Sequence, residues 1–179
     1  MAYIKVTPGA PGIISLLSTY TDTAKSLNIF TQQILRGKSS LTEGERELIA
    51  AFVSAKNDCK FCTRAHSAVA RKLLPADQAG QVDKVLRQSD LKSCGAKMQA
   101  LLNIAAAVQQ GGKYVTKDLI ERARSGGADD QAIHDTVLVA AAFCMFNRYV
   151  DGLGTWTPEE QGIYENIGAR LAAQGYDER

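Results

Sequence analysis

The chain has 179 residues, of which 45% are hydrophobic and 22% charged, and its formal net charge is +2. This composition is typical of a globular domain and excludes a disordered or fibrous chain. Lysines and arginines are scattered along the sequence, which argues against a nucleic-acid-binding surface. No apolar run is long enough to cross a bilayer, so we expect no membrane segment.

The N-terminal residues and the cysteine content bear on the cellular location of the protein. The first residues lack the basic start and apolar core of a secretory signal, so a cytoplasmic location is expected. Cytosolic thiols are kept reduced, and a close Cys pair there is more often catalytic or metal-binding than structural. The length predicts a single domain over residues 1–179, with residues 1–11 as an extended, proline-containing N-terminal arm.

Abundant helix-forming residues and scarce β-alternation predict an all-α fold. The predicted helices span, in chain order, about 13–26, 28–36, 42–57, 59–74, 76–88, 97–109, 116–125, 129–147 and 157–175. Thr42 and Glu45 have the spacing of a capping box. Asp58 is the predicted N-cap of the helix that follows it. A helix start is also predicted at residues 157–160, where a Thr precedes Pro and Glu.

The segment from Cys59 to His66 carries the residues most suited to chemistry. At about 100° per residue, Cys59 and Cys62 lie about 60° apart on a helix, and His66 falls between them. His66 is then close enough to exchange a proton with Cys62 or with a bound substrate. The first-turn amides and the helix dipole favour the thiolate form of such cysteines, which can also form a disulfide.

Glu47 is the next candidate, because it lies twelve residues before Cys59 on the preceding helix. Small neighbours on its face, among them Ala50 and Ser54, would allow another helix to approach closely. A carboxylate near His66 would orient the imidazole or shuttle a proton. From the spacing alone, however, a solvated surface carboxylate is the ordinary interpretation of Glu47.

Zinc binding and inert thiols are the alternatives to a redox pair. A structural zinc site needs four ligands, usually from two Cys-x-x-Cys arms. This chain has one such arm and His66, with three isolated extras: Cys94, Cys144 and His134. Redox chemistry is therefore favoured and no metal is expected. Cys144 is predicted to be a small buried apolar residue, and His134 to lie on the surface beside Asp135.

Taken together, Glu47, the spacing of twelve, Cys59-x-x-Cys62 and His66 resemble the AhpD-type alkylhydroperoxidase branch of the carboxymuconolactone decarboxylase family. Residues 41–50 agree with this, and residues 132–154 resemble the C-terminal signature of the peroxidase-related members. The resemblance covers about residues 10–165. It implies an all-helical AhpD-like fold that self-associates, usually as a trimer or a trimer of dimers.

The resemblance also implies an activity, the thiol-dependent reduction of organic hydroperoxides without metal, flavin or other cofactor. Cys62 would be the peroxidatic thiolate and Cys59 the resolving thiol, with His66 and Glu47 as the proton relay. The partners implied are an organic hydroperoxide, a dithiol reductant that in this family is a lipoylated protein, and further copies of the chain.

One position departs from the family pattern. The best-established alkylhydroperoxidases of this type have a His immediately before the second Cys, and this chain has Phe61 there. A redox-regulated binding or sensor protein without significant turnover is therefore an alternative function. A lactone decarboxylase-type lyase is a further alternative, although that branch generally lacks the Cys pair.

Overall fold

The structure is a computed structural model that describes residues 2–88 and 90–176. Within these residues the chain forms nine α-helices, two short 3-10 turns and no β-strand. The helices are α1 Gly12–Thr19, α2 Thr21–Arg36, α3 Glu43–Lys56, α4 Lys60–Leu73, α5 Gln81–Gln88, α6 Gly95–Gln110, α7 Lys117–Ser125, α8 Asp130–Gly152 and α9 Gln161–Gln174. The predicted all-α fold is confirmed. None of these helices combines the length and the apolar character that crossing a bilayer requires.

Helix α3 lies at the centre of the molecule. It packs against α4, α6 and α8, and α4 packs in turn against α9. Its side chains are buried almost all round, and Leu48, Ile49 and Val53 join the main apolar core. A smaller apolar cluster surrounds the start of α4. A functional side chain on α3 or α4 is therefore held by packing on several sides.

The junction between α3 and α4 is a Schellman motif, the common helix ending that reverses the chain through one left-handed residue. The N–H of Asp58 donates to the carbonyl of Ala55, and the N–H of Cys59 to that of Ser54. Asp58 takes the left-handed position, with φ = 56°. The prediction that Asp58 caps α4 is wrong, because Cys59 is the N-cap residue and makes no side-chain capping bond.

The predicted start of α3 agrees with the structure. Thr42 and Glu45 form the predicted capping box at the start of α3. Residues 2–11 form no helix, and this arm is attached to the body by the N–H of Tyr3, which donates to the carbonyl of Leu153.

Four predicted boundaries differ from the structure. The first two helices break at Tyr20 rather than near residue 27, so that α2 runs unbroken through its apolar face from Ala24 to Leu35. Helix α5 begins at Gln81 rather than 76, since the N–H groups of residues 78 and 79 turn back to the carbonyl of Pro75. Helix α8 continues to Gly152, five residues further than predicted.

The start of α9 is the fourth difference. Residues 157–160 are not helical, and α9 begins at Gln161. The carbonyl of Pro158 accepts hydrogen bonds from the Tyr164 hydroxyl and from Arg64. These two side-chain contacts tie the segment to α4 and α9, and they outweigh the local signal for a helix start.

Candidate active site

Glu47 and His66 meet in the interior, between α3 and α4. Glu47 is fully buried, and its Oε2 lies 2.7 Å from Nδ1 of His66. An ionised carboxylate only accepts hydrogen bonds, so Nδ1 carries a proton, and in the neutral form of the imidazole Nε2 keeps a lone pair. The ring of Phe143 packs edge-on against the imidazole, with centroids 4.5 Å apart. The structure therefore replaces the solvated Glu47 of the ordinary interpretation with a buried, oriented pair.

Two further side chains complete the surroundings of Glu47. Arg36 at the end of α2 donates from Nη2 to Oε1 of Glu47 over 2.7 Å, and the Tyr176 hydroxyl donates to the same oxygen over 2.7 Å. The Tyr176 oxygen also lies 3.3 Å from Nδ1 of His66. The guanidinium of Arg36 lies over the Tyr176 ring, 5.0 Å from its centroid. The buried carboxylate is thus satisfied by one cation, one imidazole and one phenol.

These contacts determine the ionisation of the site. Burial alone raises the pKa of Glu47, but its attraction to and hydrogen bond with His66, together with Arg36 and Tyr176, lower that pKa below the ordinary value. Burial and the adjacent Glu47 raise the pKa of Tyr176 well above its ordinary value. At neutral pH Glu47 is therefore an ionised carboxylate beside the neutral phenol of Tyr176.

Arg36 and Tyr176 were missed by the sequence analysis. Tyr176 reaches the site because Gly175 ends α9 with a left-handed φ of 72° and because the Tyr176 N–H donates to the side chain of Gln32. A Cβ at Gly175 would lie 2.5 Å from Oε1 of Gln32. The only local signal was the glycine after α9, which predicts a chain reversal but not its target.

The two cysteines are buried beside each other at the start of α4. Cys59 is the N-cap residue and Cys62 lies in the first turn, with 0% and 2% of their surfaces exposed. Both are free thiols. The neighbouring Cys59 sulfur and burial raise the pKa of Cys62 well above its ordinary value, while a hydrogen bond with Asn147 acts in the opposite direction. The expected preference for the thiolate is therefore reversed at Cys62 in this resting geometry, because burial beside a second sulfur outweighs the helix terminus.

Asn147 of α8 connects this thiol to the helix junction. Its side-chain amide donates to Oγ of Ser54 over 3.0 Å, and its carbonyl oxygen accepts from Asn57 over 2.8 Å. These bonds attach α8 to the end of α3. The contact of Asn147 with Cys62 was not predicted, because nothing in the sequence shows which side chain of α8 faces α4.

Two adjoining cavities, which share part of their lining, reach His66 and Cys62. A small inner cavity of about 60 Å³ is lined by both Cys62 and His66, with Phe143 and Phe146. An outer cavity of about 370 Å³ opens between α1, α2, α4 and α9 and shares His66 with the inner one. Phe61 lines both cavities. Phe61, which replaces the His of the best-established alkylhydroperoxidases, thus forms an apolar wall between the outer cavity and Cys62.

The remaining candidates lie elsewhere. His134 is an exposed residue paired with Asp135, as predicted. Cys144 is only partly buried, contrary to the prediction, and Asn57 Nδ2 contacts its sulfur at 3.7 Å. Over the part of the chain that the structure describes, no three His, Cys, Asp or Glu side chains are grouped so as to hold a metal ion.

The chain is similar to one protein family in sequence and to known structures in fold. Residues 21–75 match the model of the carboxymuconolactone decarboxylase family, and this segment contains Glu47, both cysteines of the pair and His66. No curated protein matches the chain significantly. Two solved structures share the fold. One is an uncharacterized peroxidase-related protein from Silicibacter sp. TM1040, with TM-score 0.76 and 23% identity over 87% of this chain and 78% of that one.

The other is described as an alkylhydroperoxidase AhpD core, an uncharacterized peroxidase-related protein from Ralstonia eutropha JMP134. Its TM-score is 0.76 and its identity 24%, over 89% of this chain and 81% of that one. At this identity the two likenesses establish the fold. The family match over residues 21–75 supports the resemblance to the carboxymuconolactone decarboxylase family predicted from the sequence, and the two structures show that the fold is AhpD-like.

Proposed function

We propose that the protein is a thiol-dependent peroxidase that reduces organic hydroperoxides through a dithiol–disulfide cycle of Cys59 and Cys62. The observation that carries this proposal is that Cys62 and His66 line the same inner cavity while Glu47 fixes the protonated Nδ1 of His66. This leaves Nε2 as a base on the wall of the cavity that Cys62 also lines, with space beside both for a peroxide group.

The raised pKa of Cys62 defines what the base must do. The resting thiol is neutral, so Nε2 of His66 takes its proton when a peroxide enters the inner cavity. The resulting imidazolium is stabilised by the ionised Glu47, whose charge is maintained by Arg36. A buried carboxylate that stabilises an imidazolium without accepting its proton has the same role in hydrolytic triads.

The oxidative steps then balance as follows. The Cys62 thiolate attacks the terminal oxygen of the hydroperoxide, the O–O bond breaks, and the alkoxide takes the proton from His66 to leave as an alcohol. Cys62 is now a sulfenic acid. The Cys59 thiol attacks that sulfur, a disulfide forms and water leaves. A dithiol reductant next attacks Cys59, restores both thiols and becomes a disulfide itself.

The partners belong to the same proposal. A lipoylated protein in a reducing cytoplasm is the dithiol source suggested by the resemblance, and a trimer or hexamer is the assembly suggested. Besides the hydroperoxide and the dithiol, the steps above require only side chains of this protein. The peroxidase is therefore proposed to work without metal or flavin.

Peroxide consumption with dihydrolipoamide as reductant tests the function. Purified protein should consume cumene hydroperoxide catalytically, Cys62→Ser should abolish turnover, and Cys59→Ser should allow a single turnover that stops at the sulfenic acid. Cys94→Ser is the matched control and should behave as the wild type, because Cys94 lies outside both cavities. Wild-type turnover by both Cys62→Ser and Cys59→Ser would contradict the proposal.

The alternative function is separated by the same samples. If peroxide converts the Cys59–Cys62 pair to a disulfide once but dihydrolipoamide supports no turnover, the protein is a redox-responsive binding or sensor protein. The observation that favours this alternative is the high pKa of the Cys62 thiol, since a neutral thiol is a poor nucleophile.

A further inference from the structure

The outer cavity is lined mainly by apolar side chains. Six of them come from three helices, α1, α4 and α9: Ile13, Ile14, Leu17, Phe61, Ile167 and Leu171. Its volume of about 370 Å³ is within the range of about 300–1,000 Å³ found for small-molecule sites. The lining also contains the polar side chains of Ser18, Thr21 and Asn28, but its surface is predominantly apolar and fits a hydrocarbon chain.

The charged residues of the cavity are of one sign. Lys25 of α2 and Arg170 of α9 both line it, and both are solvent-exposed, so they lie towards its open side. Ile29, with 55% of its surface exposed, lines the same cavity. No Asp or Glu is present among the described residues that line it. The open side of the cavity therefore combines two cations with an apolar surface.

The outer cavity also leads to the thiol. It shares Phe61, His66 and Tyr176 with the inner cavity, and Cys62 lines the inner one. Phe61 is held in place from behind, because its ring packs against Tyr164 and against Gly12, where a Cβ would come within 2.2 Å of it. A chain lying in the outer cavity would consequently run from the two cations, past the Phe61 ring, towards Cys62.

We propose that the outer cavity binds an amphiphilic monocarboxylate, so that the substrate class of the enzyme is the hydroperoxides of fatty acids. This inference rests on the proposed function for its reaction, which is the same thiolate attack and alcohol release described above. The carboxylate pairs with Lys25 and Arg170, and the acyl chain contacts the apolar wall. The hydroperoxide group, attached along the chain, reaches the inner cavity. Phe61 in place of His favours such a chain, since it removes a polar group from the wall.

Equilibrium binding of a fatty acid that carries no peroxide tests the site directly. Decanoate should bind the reduced wild-type protein in a calorimetric titration more tightly than decan-1-ol does. Hexanoate should bind more weakly than decanoate, by up to about fourfold for each missing methylene. The variant Lys25→Ala/Arg170→Ala should weaken decanoate binding about three- to tenfold, the range expected for two partly exposed charge pairs.

A matched control removes the same charge elsewhere. Lys84 and Lys117 are exposed and outside both cavities, so Lys84→Ala/Lys117→Ala should bind decanoate as the wild type does. Equal affinity for decanoate and decan-1-ol, or equal loss in both double variants, would overturn the carboxylate assignment. A lack of binding by either ligand would overturn the acyl site itself.

The two proposals fail separately in this experiment. Decanoate binding without any peroxide turnover would retain the acyl site and overturn the peroxidase. Turnover of cumene hydroperoxide without decanoate binding would retain the peroxidase and overturn the substrate class. With both intact, the ratio of kcat/KM for a fatty acid hydroperoxide to that for its methyl ester should fall in Lys25→Ala/Arg170→Ala.

Discussion

At the scale of single residues, the ionisation of Cys62 is the feature that most affects the chemistry. A cysteine in the first turn of a helix is favoured as a thiolate by the helix dipole, an effect of about 0.3–1 kcal/mol at exposed sites. Cys62 is instead 2% exposed and lies beside a second thiol. The hydrogen bond with Cys59 and the desolvation of a charged sulfur together exceed the dipole effect, so Cys62 keeps its proton, and in the proposed mechanism His66 removes it.

The effect of Cys59 on the pKa of Cys62 can be tested by substitution. The Cys59 sulfur is the largest cause of the raised pKa of Cys62, so Cys59→Ala should shift the pH midpoint of Cys62 alkylation by iodoacetamide downward. At pH 8 the rate should then rise about three- to tenfold, since one pKa unit changes the thiolate fraction tenfold. Mass spectrometry of the alkylated peptide measures the rate at each pH.

Alkylation of Cys94 in the same sample provides the control, because it lies on a different element and its own pKa is raised by burial rather than by the pair. If Cys59→Ala only opened the site to reagent, the rate would rise at every pH and the midpoint would stay in place. That result would contradict the assigned cause.

At the scale of elements, the α3–α4 junction decides how the site is presented. The Schellman motif makes Cys59 both the last residue of the α3 ending and the N-cap of α4. The junction thereby sets the direction of α4, on which His66 meets Glu47 of α3. The motif requires one left-handed residue, and the chain uses Asp58 there rather than the usual glycine.

A pair of substitutions at Asp58 tests this reading. The left-handed conformation costs an L-residue about 1–2 kcal/mol, and Asp tolerates it better than Ala. We expect Asp58→Gly to raise the free energy of unfolding by about 0.5–1 kcal/mol and Asp58→Ala to lower it by about 1 kcal/mol. Urea denaturation followed by circular dichroism measures both.

The two variants control each other, because each removes the same exposed charge. An equal change in both would assign the effect to that charge and to the loss of the Asp side chain rather than to the backbone conformation.

The helix boundaries show how far the sequence alone could predict the elements. The capping box at Thr42 was predictable because its two bonds are made within four residues. The start of α9 was not, because Arg64 and Tyr164 bind the Pro158 carbonyl and hold the predicted first turn extended. Local signals were sufficient where the partners are local and failed where a distant side chain competed with them.

At the scale of the whole molecule, the site is formed where four segments converge. Arg36 ends α2, Glu47 lies in the middle of α3, His66 in α4, and Tyr176 follows α9. The spacing of residues 59–66 predicted that His66 and the two cysteines share one helix face, whereas Glu47 was added to this set by the family resemblance. Arg36 and Tyr176 are separated from His66 by 30 and 110 residues, and only the packing of α2 and α9 brings them to it.

This convergence predicts a specific dependence of stability on pH. The pKa of Glu47 is lower in the folded protein than in the unfolded chain, so the charged carboxylate contributes stability that is fully present above its unfolded value of about 4.5. That stability is lost as the pH falls through the lowered folded value. Glu47→Gln removes the buried negative charge that pairs with Arg36 and His66. Its loss should lower the free energy of unfolding by about 3–5 kcal/mol at pH 7.

The comparison of wild type with Glu47→Gln across pH tests this in full. The difference in free energy of unfolding should be constant from pH 7 to about pH 5.5 and should shrink below pH 4.5, where the Glu47 carboxylate binds a proton first in the unfolded chain and, at still lower pH, in the folded protein. Glu43→Gln is the matched control on the same helix, because its carboxylate is 43% exposed and 3.4 Å from Arg36, and it should cost less than about 1 kcal/mol. A Glu47→Gln difference that persists unchanged to pH 3 would show that the amide disrupts packing rather than charge, since protonation of the wild type would then recover none of it.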